Sequence, residues 1–347
     1  MTDSSPKHTG ILLQSLLDRI ARPLNVHDVQ GEVIVTASAG ISWYPTDGNQ
    51  GTDLVQKAET AMGRAKESGI QRVEFFTSDM QASSLESLRL HKDLLDALEQ
   101  EQFTLFFQPQ IDLATDGIAG AEALVRWHHP DGKIVGPQDF IPILEDMGRI
   151  QELGEFVLNQ GCDALQRINE AGLDLPRMAI NLAAPQLEDP DLGSKLAKTM
   201  QASGIPPEQL ELEVTESLLI SRFELVQNQM SELLGMGISV ALDDFGTGYS
   251  SLQYLTRYPF SKLKIDKSFV WNMAKGDKDY EVVKAIISLG HSLQIKVLAE
   301  GVEDKRHEQT LRTLGCELVQ GYLYSPPIDF KAFVEYLRKY SHPGQED

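Results

Sequence analysis

The stretch VALDDFGTGYSSL, residues Val240–Leu252, joins an apolar run to two adjacent carboxylates and a glycine-rich turn. Ile238–Leu242 has the composition of a buried strand, and it ends on Asp243 and Asp244. Gly246 and Gly248 then let the backbone turn sharply ahead of a helix expected near Ser250. Two ionised carboxylates about 5 Å apart repel by roughly 3 kcal/mol at an effective dielectric near 20. A chain tolerates such a pair best when a cation neutralises it. Side-chain alternation should send the two in different directions, one toward a barrel axis and the other toward a second metal. Taken alone, the dipeptide reads more readily as a solvated turn with a helix N-cap. The surrounding chain decides between the two.

On both sides of this stretch, apolar strand-like runs alternate with helical patterns. The strand candidates are Leu105–Asp112, Ile118–Trp127, Met178–Leu182, Leu210–Val214, Ile238–Leu242, Lys262–Ile265, Lys296–Ala299 and Leu318–Tyr322. Between them, Gly154–Ala171, Leu192–Ser203, Phe223–Met236, Tyr280–Leu293 and Lys305–Leu314 carry helical spacing. This succession predicts an α/β fold, a TIM-type β/α barrel. The turn Thr115–Gly117 is too short for a helical crossover, so the first two strands should be antiparallel and the barrel modified accordingly.

Residues 1–80 differ in pattern. Ile11–Ile20 reads as a helix, Glu32–Tyr44 as a strand or hairpin arm, Asp53–Ser68 as an amphipathic helix closed by Gly69, and Arg72–Phe76 as a short last strand. This is a small α+β segment with a thin core. The leucine-bearing helix Ser83–Gln100 is the natural connector, which gives three parts: 1–80, a linker helix at 81–100, and the barrel at 101–347.

Composition limits the function. The 347 residues hold 31 Lys+Arg against 51 Asp+Glu, a net charge of −20, which opposes binding to nucleic acid or an anionic membrane. A small anionic ligand remains compatible, because bound divalent cations invert the local field. Cys162 and Cys316 sit in apolar patterns and read as buried free thiols of a reducing compartment. With no run of about 18 apolar residues and no signal-like N-terminus, the chain is expected to be soluble and cytoplasmic, with no membrane insertion of its own. A longer parent protein can still be membrane-anchored.

Barrel enzymes keep their chemistry at the C-terminal ends of the strands. There the second strand carries Glu122, the third Asn181, and the fourth Glu213 and Glu216. The fifth ends on Asp243 and Asp244, the sixth has Lys264 and Asp266, the seventh Glu300 and Glu303, and the eighth Gln320. Each alone is an ordinary polar strand end; together they form a hard-oxygen set suited to magnesium or manganese rather than zinc. Glu122, Asn181, Glu213 and Asp243 could enclose one cation, with Asp243 and Asp244 reaching a second. Two metals so held suit in-line attack of water on a phosphodiester. Lys264 could hold that water or the developing charge, and Arg126 could grip a phosphate oxygen. The plainer reading of Lys264 is a buried partner for its carboxylate neighbours, which is compatible with catalysis. An enolase-type proton abstraction also fits the strand-end carboxylates, but it leaves Arg126 without a role.

The motif Ala121–Arg126, AEALVR, resembles the signature of the EAL family of cyclic-di-GMP phosphodiesterases. Its companions are FQPQ at Phe107–Gln110, NL at Asn181–Leu182, ELEVTES at Glu211–Ser217, DDFGTGYSSL at Asp243–Leu252, KLKID at Lys262–Asp266, AEGVE at Ala299–Glu303 and VQGY at Val319–Tyr322. The resemblance spans about residues 88–340. It implies a modified barrel with an antiparallel first strand and hydrolysis of cyclic di-GMP to linear pGpG with two magnesium or manganese ions, calcium being inhibitory. It further implies that Glu122, Asn181, Glu213, Asp243, Asp244 and Glu300 are metal ligands, with Glu122, Lys264 and Glu300 catalytic. Lys264 would orient the attacking water, and Glu216 would anchor the loop after the fifth strand. Gln108, Leu124, Arg126, Asp266, Glu303 and Gln320 match substrate-contacting positions. Ala183–Ala184 stands where the family usually has Ser-Ala, away from any catalytic position.

The resemblance also implies a homodimer formed through the region after the fifth strand, around Tyr249–Tyr258. A non-catalytic cyclic-di-GMP receptor is the alternative; such relatives typically lose carboxylates that are all present here. Residues 1–80 resemble the C-terminal half of a GGDEF (diguanylate cyclase) domain, through VTASAGISWYPTD at Val35–Asp47, AETAM at Ala58–Met62, AKESG at Ala65–Gly69 and Arg72–Phe76. The GGDEF signature is absent, and Ile70 and Gly63 replace a usual arginine and tyrosine, so synthesis of cyclic di-GMP is not expected. A half-domain leaves strand edges unpaired, which favours a piece of a longer sensor protein with upstream sensory or GGDEF regions.

Overall fold

The computed structural model describes residues 6–25, 32–67, 71–247, 255, 257–273 and 277–341. They divide into two compact units at Leu95/Asp96. Within the second unit, a hydrogen-bonded sheet closes on itself through eight strands, numbered here β1 to β8. They are β1 (Phe103–Asp112), β2 (Ile118–His128), β3 (Met178–Asn181), β4 (Leu210–Thr215), β5 (Ser239–Phe245), β6 (Lys262–Ile265), β7 (Lys296–Ala299) and β8 (Leu318–Val319).

β2 through β8 run parallel, while β1 is antiparallel to both its neighbours β2 and β8. The tight β1–β2 turn explains this. Asp112 Oδ1 accepts from the N–H groups of Ala114 (2.8 Å) and Thr115 (3.1 Å), so the chain reverses without a crossover helix. The parallel strands need such crossovers, and helices α1 (Pro137–Asp146), α2 (Ile150–Glu170), α3 (Leu192–Ser203), α4 (Glu216–Gly235), α5 (Lys267–Asn272), α6 (Asp277–Leu293) and α7 (Lys305–Leu314) provide them. Under β1 and β2 the outer core is aromatic, with Phe103 and Phe140 ring centroids 5.4 Å apart and Trp127 wholly buried beside them.

Three expectations change. β8 was expected over Leu318–Tyr322 but ends at Val319. Beyond it, Gln320 N–H still donates to Ala299 O (2.9 Å), and Val302 N–H donates to Gln320 O (3.1 Å), so the chain clings to the end of β7 instead of continuing a ladder with β1. Ile328–Asp329 takes over that side of β1, pairing with Phe107 and Phe106. The helix expected from Phe223 begins at Glu216, because Thr215 Oγ1 caps it by accepting from Leu218 N–H. Glu32–Tyr44 is not one strand: Glu32–Val33 pairs antiparallel with Leu24–Asn25, and Ala39–Ile41 pairs parallel with Val73–Phe75 across the helix Gly51–Glu67. Ile34 and Val35 between them are exposed and join neither ladder.

Further helices among the described residues include Pro6–Ile20 and Ser78–Glu99 before the barrel, the short Ala184–Leu187 after β3, and α8 (Phe330–Ser341) after the barrel. Of the expected pairing region Tyr249–Tyr258, all but Leu255, Arg257 and Tyr258 lies outside the described residues.

Gly321 marks how closely β8 must approach the β7 loop: a Cβ there would lie 2.2 Å from Val302 O and 2.3 Å from Val302 N. Gly321→Ala should therefore destabilise the barrel by about 2 kcal/mol, lowering Tm by roughly 4–8 °C in a thermal melt.

Candidate active site

The barrel mouth collects its charged groups from five strands, and one local irregularity decides their geometry. Between β5 and β6 the register runs Leu242↔Leu263 and then Phe245↔Ile265, so Asp243 and Asp244 together oppose Lys264. This is a β-bulge, with Asp244 at φ 54° in the left-handed region that aspartate tolerates better than most residues. Simple alternation would have separated the two carboxylates. The bulge instead brings ligand oxygens of Asp243, Asp244 and Glu300 within 4.8 Å of one another.

Lys264, 1% exposed, stands at the centre. Its Nζ lies 2.6 Å from Glu213 Oε2, 2.9 Å from Glu300 Oε1, 3.1 Å from Asp243 Oδ2 and 3.5 Å from Glu122 Oε2. Asn181 Nδ2 donates to Glu122 Oε1 (2.7 Å), and Gln320 Nε2 donates to Glu122 Oε2 (2.6 Å). Five carboxylates (Glu122, Glu213, Asp243, Asp244 and Glu300) thus crowd about one ammonium. One positive charge cannot balance them.

The acidities record that imbalance. Burial, reinforced by the charge on Glu122, holds Glu213 well above the usual carboxylate range. Burial pushes Glu300 up to about 8, with Asp243 and Glu122 adding to it against Lys264. Burial and the neighbouring Asp243 charge raise Asp244 to about 6. Glu122 goes the other way: burial would raise it, but the Lys264 ammonium and the hydrogen bonds from Gln320 and Asn181 outweigh that and lower it. Lys264 stays protonated, because the carboxylates of Asp243, Glu122, Glu213 and Glu300 overcome the effect of burial.

This donor set fits divalent cations. Its oxygens are hard ligands, its charge is in excess, and the buried Glu213 Oε1 has no hydrogen-bond partner. Glu216, wholly buried at the start of α4, accepts from Gly246 N–H through Oε2 (3.0 Å) and so ties the chain just past the bulge to β4. Of this loop, residues 248–254 lie outside the described residues.

The other expected site residues take distinct places. Leu124 and Asn181 line a cavity of about 510 Å3 together with Pro137, Ile141, Leu182 and Ser217. Arg126 is half-buried, 5.8 Å from the Phe106 ring, with Nη1 donating to Val125 O (2.9 Å). Glu303 is exposed beyond Val302. Asp266 caps α5, its Oδ1 accepting from Ser268 N–H (3.0 Å) and from the Ser268 hydroxyl. Gln108 donates to Ser325 O (3.1 Å) and accepts from Gln320 (3.0 Å).

Sequence reasoning missed a deeper layer made by Gln110, Glu211 and Lys262, all buried. The signal was present: each stands two residues from a polar group already singled out (Gln108, Glu213 and Lys264) and so faces the same side of its strand.

Fold and site define a closed β/α barrel with an acidic, cation-seeking mouth. Residues 91–327 match the EAL domain family, and residues 1–72 match the diguanylate cyclase GGDEF domain family. The chain belongs to the EAL domain family. The cyclic di-GMP phosphodiesterase NbdA of Pseudomonas aeruginosa is 37% identical over 341 residues, covering 98% of this chain and 43% of that protein. The cyclic di-GMP phosphodiesterase PdeR of Escherichia coli is 34% identical over 339 residues, covering 98% and 51%. The chain therefore spans about half the length of the curated relatives it matches. Among solved structures, the PaMucR phosphodiesterase in complex with c-di-GMP aligns with a TM-score of 0.68 at 36% identity, over 71% of this chain and 99% of that one.

A carboxyl whose pKa is raised by folding contributes most stability below its unfolded pKa and loses that contribution as pH rises through the folded value. The metal-free protein should thus lose thermal stability as pH rises toward about 8, the Glu300 value. Cation binding needs the ionised forms, so the Tm increase on adding Mg2+ should grow between about pH 6 and about 8, with proton release measurable by calorimetry in two buffers.

Proposed function

We propose that the chain hydrolyses cyclic di-GMP to linear pGpG using two divalent cations, magnesium or manganese. The observation that carries this reading is the meeting of five carboxylates from four strands around one ammonium, with one buried carboxylate oxygen left unpartnered. Glu122, Asn181, Glu213, Asp243, Asp244 and Glu300 would hold the cations. When bound, these supply charge neutralisation for the phosphodiester and lower the pKa of water.

The chain's own groups do the rest. Lys264 keeps its proton, so it acts as a donor: its ammonium orients the attacking water and stabilises the charge that develops on the phosphorus oxygens. Glu300 lies 2.9 Å from that ammonium; ionised, as it would be above about pH 8 or beside bound cations, it would take the proton that water gives up. As the water oxygen bonds to phosphorus one P–O ester bond opens, and the released alkoxide takes a proton from solvent water to give the linear product. Arg126 on β2, two positions past Leu124, suits a phosphate oxygen. The cavity beside Leu124 and Asn181 has room for a nucleobase. The relatives that bear the name cyclic di-GMP phosphodiesterase support the substrate class.

Incubation with cyclic di-GMP and Mg2+ or Mn2+ should yield pGpG by chromatography, with none after chelation or with Ca2+ alone. Glu122→Ala should lower kcat by roughly 10²–10³-fold or more, since it removes both a proposed cation ligand and one of the four carboxylates about Lys264. Tight binding without product at saturating Mg2+ would instead mark the chain as a receptor.

A further inference from the structure

Below the mouth lies a second layer that no part of the chemistry above requires. Lys262, two residues before Lys264 on β6, is 3% exposed, and its Nζ donates to Gln110 Oε1 (2.6 Å) and to Glu211 Oε1. Glu211, wholly buried, also accepts from the Ser261 hydroxyl through Oε2 (2.9 Å), with Arg177 Nη1 3.6 Å from the same oxygen. Gly120, directly across the ladder from Gln110, keeps the space open; a Cβ there would come within 2.9 Å of Arg177 O and 3.4 Å of Gln110 Oε1.

From Lys262 the hydrogen bonds run upward in one direction only. Gln110 Nε2 donates to Gln320 Oε1 (3.1 Å), and Gln320 Nε2 donates to Gln108 Oε1 (3.0 Å) and to Glu122 Oε2 (2.6 Å). An ammonium has donors and no acceptor, so Gln110 must turn its carbonyl toward Lys262. Its NH2 then faces Gln320, whose carbonyl is drawn down and whose NH2 is turned toward Glu122. Were Gln320 reversed, its carbonyl oxygen would face the Glu122 carboxylate, acceptor against acceptor.

We infer that Lys262 and Gln110 are positioning residues that set the orientation of the Gln320 amide and thereby hold Glu122 in its cation-binding pose. The inference rests on the proposed cation site, and it deepens that reading by naming what aims one of its ligands. Supports of this kind behind a metal ligand typically change affinity by roughly 10–100-fold when removed.

Gln110→Glu and Gln110→Met separate the direction of the relay from simple packing. Glutamate at 110 keeps size and the contact with Lys262 but offers no donor to Gln320. Methionine fills the space and keeps neither polarity, leaving the Lys262–Glu211 pair in place. Mn2+ binding by isothermal titration calorimetry, without substrate, should weaken roughly 10-fold or more in Gln110→Glu and less in Gln110→Met. Turnover of cyclic di-GMP should recover at high Mn2+ with KM for the dinucleotide unchanged. Equal Mn2+ affinity in wild type and Gln110→Glu, with Tm retained, overturns the inference, as does a greater loss in Gln110→Met, which marks packing alone. Wild-type protein that binds no Mn2+ overturns the cation reading itself, a result distinguishable from the other two.

Discussion

A single ammonium holds the centre of this barrel together. Lys264 is buried within 3.5 Å of carboxylate oxygens from β2, β4, β5 and the end of β7. Each carboxylate taken out of water costs several kcal/mol unless its charge is met. Lys264 meets part of that charge, and the Asn181 and Gln320 amides meet part of what falls on Glu122. What remains is met by protons, as the raised pKa values of Glu213 and Glu300 record, or could be met by cations. The same excess of acidic groups that costs the core stability is what suits the mouth to divalent ions.

Topology explains why those groups meet where they do. β1 enters antiparallel, so Gln108 lies opposite Glu122 and Gln110 opposite Gly120, with amides facing the axis where a parallel first strand would have placed another strand end. Parallel strands β4 and β6 add their own inward pairs, Glu211 with Glu213 and Lys262 with Lys264. A spacing of two on each strand becomes two stacked layers inside the barrel, the upper one acidic and open to ligands, the lower one internally satisfied. The lower layer is neutral as a pair, since Lys262 meets Glu211 directly, and it can stay dry.

That layering was legible in part. Strand periodicity gave the barrel, and the short Thr115–Gly117 turn gave the antiparallel β1. Residues at strand ends gave the cluster, because a barrel brings every C-terminal end to one face. The bulge at Asp243–Asp244 was not legible: period two is the default, and only the register across to Lys264 reveals the extra residue. The early end of β8 escaped for a similar reason, since it depends on Gly321 lying against the Val302 backbone in the loop after β7. Asp266 shows the opposite failure. A carboxylate just past a strand looks like a ligand in sequence, yet Ser268 two residues later makes it equally a helix cap, and the cap is the role seen here.

Gln320 carries the last distinction. Read from motif alone it is a substrate contact, but its side chain is already committed. A primary amide has two N–H donors, and here they go to Gln108 and Glu122; its carbonyl takes the bond from Gln110. Any ligand group reaching Gln320 without breaking these bonds can approach only the second lone pair of a buried carbonyl, and so must itself be a donor. Phosphate oxygens are acceptors and gain nothing there. In this conformation the Gln320 amide is therefore placed to hold Glu122 and not to meet a phosphate oxygen.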